Sequence, residues 1–321
     1  MKLSTIVLSV LALCVGPTQA QDSFPTKPIR LVVPQSPGSG GDMVGRMLGE
    51  FLSNDLGQPV VIDNKAGANG IPAAAALSKE RPDGYTLMLG LVSQLAINKH
   101  LYKNVPYDGL SDFTYVSPVV ETPYVLVASN ASGFKSVADI VAAAKLEPGK
   151  LNYSSAGTGN MTHLSTALLA STLGINLTHV PYKGSAPALA SVTTGETQLM
   201  TSVVGSALAQ IQAGMVKPIA IIGNSRVSVL ADVPTIAELG IKMPPVPGWY
   251  ALVAPPSLDA QAQQRIAASV QRFLTNEDVK ARLATLYLVP TPGTGAQLLA
   301  RARQESDLWG QFIRDNNILP D

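Results

Sequence analysis

Two short stretches, rich in glycine and in hydroxyl-bearing residues, have the composition and spacing to bind a small anion. The first runs from Val33 to Asp42 and the second from Ser154 to His163. In each, a short strand-like run precedes the glycines and an apolar-periodic segment follows them, which predicts a strand, a tight turn and a helix. A helix that begins in such a turn directs N–H groups and the positive end of its dipole at one point. Each loop taken alone also fits a strand-to-helix connection that binds nothing.

The two loops offer uncharged hydrogen-bonding groups rather than cations. Neither contains Lys or Arg, whereas a multiply charged phosphate normally recruits one. We therefore expect a carboxylate or a neutral polar ligand. The third predicted strand is followed by Ser93, at the edge where parallel sheets place ligands. The candidate ligand-binding residues are Ser36, Gly38, Ser39, Gly40, Gly41, Asp42, Ser93, Ala156, Gly157, Thr158, Gly159, Asn160 and His163.

Some of these residues have an ordinary structural alternative. Asp42 opens a helix, where a carboxylate usually acts as a cap, and a free carboxylate there would repel an anionic ligand. His163 lies in the first turn of its helix, where it could touch the ligand or only pack. Trp249 and Tyr250 begin a later strand and could either line the cleft or belong to the core.

The sequence does not indicate catalysis. A dinucleotide fingerprint fails because Met43 stands where its third glycine belongs. There is no Gly-x-Ser-x-Gly elbow, no Walker lysine and no evident nucleophile–base pair. The three histidines, His100, His163 and His179, lack the spacing of metal ligands. We therefore predict no catalytic residue, no metal and no cofactor.

The amino terminus predicts export. Lys2, an apolar run and a small-x-small site at Thr18–Ala20 form a signal peptide over residues 1–20, cleaved after Ala20, so that the mature chain is periplasmic. The run is too short for a permanent bilayer span, and Leu13 ahead of Cys14 argues against a lipid anchor. Removal of residues 1–20 leaves 22 basic and 22 acidic residues and no cysteine. This charge balance argues against nucleic acid as a partner.

The remaining pattern predicts an α/β protein of two lobes. Strands and helices alternate in two units, and a parallel sheet with right-handed crossovers is expected in the first. Residues 116–127 are interpreted as an extended crossing rather than a sheet centre, residues 248–253 as a returning strand, and two helices finish the chain. The predicted lobes are residues 21–122 with 247–321, and residues 123–246. Two hinge crossings over one ligand cleft permit opening and closing.

Several ordered motifs resemble those of one known family along the whole mature chain. They are Phe24-Pro-x-Lys-Pro-Ile-Arg-Leu-Val-Val-Pro, Pro37-Gly-x-Gly-x-Asp, Leu56-Gly-Gln-Pro-Val-Val-Ile, Pro82-Asp-Gly-Tyr-Thr-Leu, Gly157-Thr-Gly, Val180-Pro-Tyr-Lys-Gly, Asp232-Val-Pro-Thr and Gly248-Trp-Tyr. The chain resembles the Bug family, the TctC-type periplasmic substrate-binding proteins of tripartite tricarboxylate transporters.

The resemblance implies a type II periplasmic-binding-protein fold. It also implies that Ser36–Asp42 and Ala156–Asn160 act as a pincer on a ligand carboxylate. The sequence departs from the family pattern at Gln35, where an aromatic residue is common, and at Ser191 and Gln198, where acids are common. Because of the departure at Gln35, the resemblance does not identify the chemical group at the far end of the ligand.

We therefore expect a monomeric, non-catalytic receptor that captures a small carboxylate and passes it to membrane permease subunits. A ligand sensor that feeds a signalling partner is an alternative, and a secreted α/β enzyme is another. The sequence leaves the acid open among a dicarboxylate, an aromatic acid, an amino acid and a nicotinate-like ring.

Overall fold

The computed structural model describes residues 24–244, 246 and 248–318, and in these the chain forms eleven β-strands and ten α-helices. The strands are β1 (Ile29–Val33), β2 (Val60–Asn64), β3 (Thr86–Leu91), β4 (Thr114–Glu121), β5 (Tyr124–Ser129), β6 (Asn152–Ser155), β7 (Thr178–Pro181), β8 (Leu199–Val203), β9 (Val216–Ile222), β10 (Trp249–Ala254) and β11 (Val289–Pro290). The helices are α1 (Gly40–Leu56), α2 (Ile71–Leu77), α3 (Asn98–Leu101), α4 (Val137–Leu146), α5 (Met161–Leu173), α6 (Ser185–Thr194), α7 (Val204–Gln212), α8 (Ala260–Thr275), α9 (Glu277–Thr285) and α10 (Gly295–Asp315). The predicted signal peptide lies outside the described residues.

The sheet of the first lobe has the strand order β11-β4-β10-β3-β1-β2. β1 pairs in parallel with β2 and β3, so that Leu31 lies opposite both Ile62 and Leu87. Every residue of β1 except Arg30 is buried, as expected of a strand that is covered on both faces. The parallel arrangement predicted for this part of the chain is confirmed. The returning strand β10 is antiparallel and lies between β3 and β4.

The sheet of the second lobe has the strand order β7-β6-β8-β5-β9. β6 pairs in parallel with β7 and β8, whereas β5 runs antiparallel to β8 and β9. The second glycine-rich loop follows β6 and leads into α5, and the first follows β1 and leads into α1. Each loop therefore lies at the carboxyl end of a parallel strand, the usual place for a ligand site in α/β sheets.

The interpretation of residues 116–127 as a crossing outside the sheet centres was wrong. β4 lies between β11 and β10 in the first sheet, and β5 lies between β8 and β9 in the second. Pro118, one of the two prolines that suggested a crossing, is accommodated within β4, where it pairs with Ala251 beside a register shift. The crossing itself is confined to Thr122 and Pro123.

The two crossings between the lobes lie side by side. The Thr122 N–H donates to the Gly248 carbonyl oxygen at 2.9 Å. A Cβ atom on Gly248 would stand 2.3 Å from the Thr122 carbonyl oxygen, so this close approach requires glycine.

A charged cluster from α10 fastens the ends of the crossings. Arg301 pairs with Glu121, the last residue of β4, and its Nε donates to Glu305 Oε1 at 2.8 Å. Glu305 Oε2 also accepts from Trp249 Nε1, at the first residue of β10, at 2.6 Å. Burial raises the pKa of Glu305, although Arg301 and Trp249 act in the opposite direction.

The end of the chain contains three helices and a short strand, so the prediction of two helices was wrong. α8 and α10 carry the expected buried stripes, including Phe273 and Trp309. α9 was missed because it buries only Val279 and Leu283. It starts directly after α8, since Asn276 ends one helix and caps the next. No helix among residues 24–244, 246 and 248–318 is both long and apolar enough to cross a membrane.

Candidate functional site

The first glycine-rich loop is organised by a buried carboxylate. Ser39 caps α1 by accepting from the Asp42 N–H at 3.2 Å. Asp42 is 3% exposed; its Oδ2 accepts from the Gly38 N–H and from Arg46 Nε, both at 2.9 Å, and its Oδ1 accepts from Asn64 Nδ2 at 3.0 Å. Burial acts to raise the pKa of Asp42, but the hydrogen bonds from Arg46, Gly38 and Asn64 outweigh it and the pKa is lowered. Asp42 is thus an ionised anchor of the loop.

This arrangement uses most of the amide groups that the sequence suggested were unpaired. The N–H groups of Gly38, Gly41 and Asp42 donate to side chains of the loop itself. The turn therefore leaves fewer N–H groups available to a ligand than the glycine pattern suggested. Gly40 is the first residue of α1, and within the described part of the chain its N–H has no acceptor.

The second loop is satisfied in a similar way. Asn160 caps α5, and its Oδ1 accepts from the Thr162 N–H at 3.0 Å and from the Thr162 hydroxyl at 3.1 Å. The Thr162 Oγ1 in turn accepts from the Ala156 N–H at 2.9 Å, and His163 Nδ1 accepts from the Gly159 N–H at 3.1 Å. The loop is therefore tied to the first turn of α5 by three side chains.

Two stacked imidazoles support this loop. The rings of His163 and His179 lie 3.8 Å apart and 3° from parallel, and Tyr153 stacks on His179 at 5.0 Å. His179 Nε2 lies 2.7 Å from Ser155 Oγ, which also accepts from the Gly157 N–H at 3.1 Å. His163 is 6% exposed and supports the loop backbone.

Met161, the first residue of α5, matches Gly40 in the other lobe. Within the described residues its N–H has no acceptor. Each lobe thus presents one unpaired amide at the start of a helix that follows a glycine-rich loop.

The second loop also contacts the first lobe. The hydroxyl of Tyr102, directly after α3, donates to the Thr158 carbonyl oxygen at 3.3 Å. A Cβ atom on Gly159 would stand 2.3 Å from Leu101 Cδ1. No sequence motif pointed to Leu101 or Tyr102, because α3 has only four residues and no marked periodicity.

Ser93, Trp249 and Tyr250 have three different surroundings in the structure. Ser93 is 1% exposed and begins a π-helical turn, Ser93–Ile97, directly after β3. Trp249 belongs to the charged cluster at the crossings. Tyr250 instead reaches the first loop: a Cβ atom on Gly40 would stand 3.3 Å from its hydroxyl. Burial raises the pKa of Tyr250 to about 12, and a hydrogen bond with Gln35 acts in the opposite direction.

The side chains present do not suggest a metal centre. Among the residues that the structure describes, no three His, Cys, Asp or Glu side chains cluster so as to hold a metal ion. Apart from the Asp42 carboxylate and its partner Arg46, the side chains that hold the two loops are amides, hydroxyls and imidazoles. Hydrogen bonding of a small polar ligand is the chemistry that this arrangement supports.

The bond between Tyr102 and Thr158 gives a direct test of the cleft. Because it joins the lobes, it contributes only when they are close together on this side. We expect Tyr102→Phe to weaken ligand binding by about 2- to 10-fold, since a typical hydrogen bond contributes about 0.5–1.5 kcal/mol. Titration calorimetry on parent and variant measures the change.

Tyr85→Phe is the matched control. Tyr85 directly precedes β3, at the end of the strand away from the two loops, and its hydroxyl accepts from the Thr26 N–H at 2.9 Å. That variant should lose a hydrogen bond of similar strength with no change in ligand affinity. Equal affinities for Tyr102→Phe and the parent would show that the bond does not contribute to the bound state.

Comparisons with known proteins agree with this architecture. The family model described as "Tripartite tricarboxylate transporter family receptor" matches residues 44–318. Protein BugT of Bordetella pertussis is 31% identical over 295 residues, which cover 92% of this chain and 90% of that protein. The solved structure of R. palustris Rpa4515 with adipate has a TM-score of 0.88 at 30% identity and covers 93% of this chain and 100% of that one. MatC (Rpa3494) from Rhodopseudomonas palustris with bound malate has a TM-score of 0.82 at 29% identity, with 90% and 99% covered.

These matches confirm the two-lobed periplasmic-binding-protein fold that the sequence predicted. They span both lobes and both crossings, because the family model begins inside α1 and ends after α10. The chain belongs to the TctC family of tripartite tricarboxylate transporter receptors.

Proposed function

We propose that this chain is an extracytoplasmic solute receptor that binds a small carboxylate between its lobes and delivers it to the membrane subunits of a tripartite tricarboxylate-type transporter. One observation carries the proposal: each lobe places an unpaired amide at a helix start behind an uncharged, glycine-rich loop. Two such amides, on Gly40 and Met161, suit the two oxygens of one carboxylate group.

The remaining candidate residues take supporting roles around these amides. Ser36 is exposed and offers a hydroxyl at the rim. Asp42, Asn160 and His163 fix the loop backbones. The acids bound by relatives, adipate in Rpa4515 and malate in MatC, support a small carboxylate as the ligand here.

One structural observation would favour an enzymatic function. Sequence reasoning found no nucleophile–base pair, yet Ser155 Oγ lies 2.7 Å from His179 Nε2. Ser155 has no exposed surface, however, and its Oγ is engaged with the backbone of Gly157. A substrate carbonyl has no access to that oxygen, so the pair stabilises the loop and the chain acts without catalysis. Steady product formation proportional to protein concentration would contradict this.

Several further assignments belong to the same proposal. The mature receptor starts at Gln21 in the periplasm, acts as a monomer and uses no cofactor. We assign the lobe boundaries to residues 122/123 and 246/247, and the hydrogen bond from the Thr122 N–H to the Gly248 carbonyl oxygen supports this choice. A role as a sensor would use the same cleft and closure, and permease-dependent uptake in cells distinguishes transport from sensing.

A thermal-shift screen of the mature chain against a carboxylate panel tests the proposal. The panel should include adipate, malate, aromatic acids, amino acids and nicotinate. An acid present at 100 times its dissociation constant should raise the free energy of unfolding by about 2.7 kcal/mol. The corresponding uncharged amides serve as controls. A panel in which no acid raises the melting temperature would contradict carboxylate binding.

A further inference from the structure

The side chain of Gln35 occupies the start of α1. Gln35 follows β1 by two residues and is half-buried. Its Oε1 accepts from the Gly41 N–H at 2.8 Å and from the Ser39 hydroxyl at 3.4 Å. A Cβ atom on Gly41 would stand 2.0 Å from this oxygen, so the space above the first turn of the helix is filled by the carboxamide.

Tyr250 borders the same space. A Cβ atom on Gly41 would stand 3.2 Å from Tyr250 Cε1, and this residue is 4% exposed and lies two positions after the Gly248 crossing. Gln35 is therefore fixed between the helix start and a rigid strand. Gln35 accepts from the Gly41 N–H, which is next to the unpaired Gly40 N–H in the first turn of α1.

The carboxamide oxygen has the geometry of one carboxylate oxygen. Both are sp² oxygens that accept hydrogen bonds near the plane of their carbon substituents. A ligand carboxylate that bridged two successive amides at the helix start would need the Gly41 N–H that Gln35 now holds. A charged oxygen forms the stronger hydrogen bond, so it can take over this donor.

We propose that Gln35 is a built-in competitor of the ligand: its carboxamide must leave the Gly41 N–H before the ligand oxygen that accepts from Gly40 can also accept from Gly41. The inference rests on the proposed function and adds to it a residue that sets affinity and selects among acids. When the carboxylate displaces Gln35, the carboxamide also leaves the neighbourhood of Tyr250. An acid that places a hydroxyl or a second polar group beside Tyr250 should therefore bind most tightly.

Calorimetry on the full mature chain with adipate and malate tests the inference. Gln35→Ala removes the competing acceptor, and we expect the dissociation constant to fall by about 3- to 10-fold, the equivalent of one ordinary hydrogen bond. Gln35→Glu places a charged competitor on the same amide, and the dissociation constant should rise by at least about 10-fold. Gln264→Ala, an exposed substitution on α8, is the control and should leave affinity unchanged.

A measurement on the parent chain covers the case in which a variant does not fold. In ¹⁵N-labelled protein, both the Gly41 backbone amide and the Gln35 side-chain amide should shift on saturation with the acid. Unchanged resonances, or a folded Gln35→Ala variant that binds equally or more weakly, would overturn the role of Gln35 while leaving the receptor function intact. Lack of binding by the parent chain to every acid of the panel would overturn the receptor function and this inference with it.

Discussion

Methyl esterification of the bound carboxylate should lower its affinity for this chain by about two to four orders of magnitude. Hydrogen bonds to a charged group contribute about 1.5–3 kcal/mol each, and each helix start adds about 0.3–1 kcal/mol. Desolvation of the carboxylate offsets part of this gain, which leaves about 3–5 kcal/mol. The ester loses the charge and adds a methyl group at the point where, under the proposed function, the helix starts at Gly40 and Met161 hold the carboxylate.

Calorimetry with acid, methyl ester and primary amide separates charge from size. The amide has nearly the size of the acid without its charge, so it should bind more tightly than the ester and more weakly than the acid. Thr158→Val in the second loop should cost less, on the order of 1 kcal/mol, since it deletes one hydroxyl. Equal binding of ester and acid would mean that the two loops do not hold a carboxylate.

Asp42→Ala should lower the free energy of unfolding by about 2–4 kcal/mol. The substitution removes the acceptor of three hydrogen bonds at a site that is 3% exposed. It leaves the Gly38 N–H and the Asn64 amide without that partner, and buried groups left unsatisfied account for many large mutational effects. Urea denaturation at pH 7 measures the loss. A change below about 0.5 kcal/mol would show that Asp42 does not hold the loop.

Asp42→Asn is the matched variant, because it keeps the shape and one acceptor while removing the charge. The pKa of Asp42 is lowered in the folded chain, so the folded state binds this proton less readily than the unfolded state. Its stabilising contribution is therefore complete above the unfolded pKa of about 4 and is lost as the pH falls through the folded value. The parent should lose stability in that acidic range, and Asp42→Asn should lack this part of the pH dependence.

The sequence was sufficient for the two-lobed fold because its patterns are local. The β-branched run before Pro34 and the periodic segment after Asp42 identify β1 and α1 from neighbouring residues alone. In the same way, the glycines at Gly157 and Gly159 come before α5, which begins at Met161, as the second stretch predicted. α9 was missed because two buried side chains do not make a clear period.

The details of the site depend on long-range contacts that no local pattern contains. The glycine spacing located both loops, yet it could not show that Gln35 and Asp42 consume their amides. Gln35 was noted only as a departure that concerned the far end of the ligand, whereas its side chain folds back onto Gly41. Tyr102 approaches the second loop from a residue 56 positions away along the chain. Such pairs become visible only when the lobes are assembled.

The position of β10 determines when the first lobe can be completed during synthesis. β10 lies between β3 and β4, yet β4 ends at Glu121 and β10 begins at Trp249, with the whole second sheet encoded between them. Until residue 254 has been made, β3 and β4 lack the strand that joins them, and closing so long a loop is slow. The sheet of the first lobe is consequently among the last parts of the fold to be completed, after every strand of the second sheet has been made.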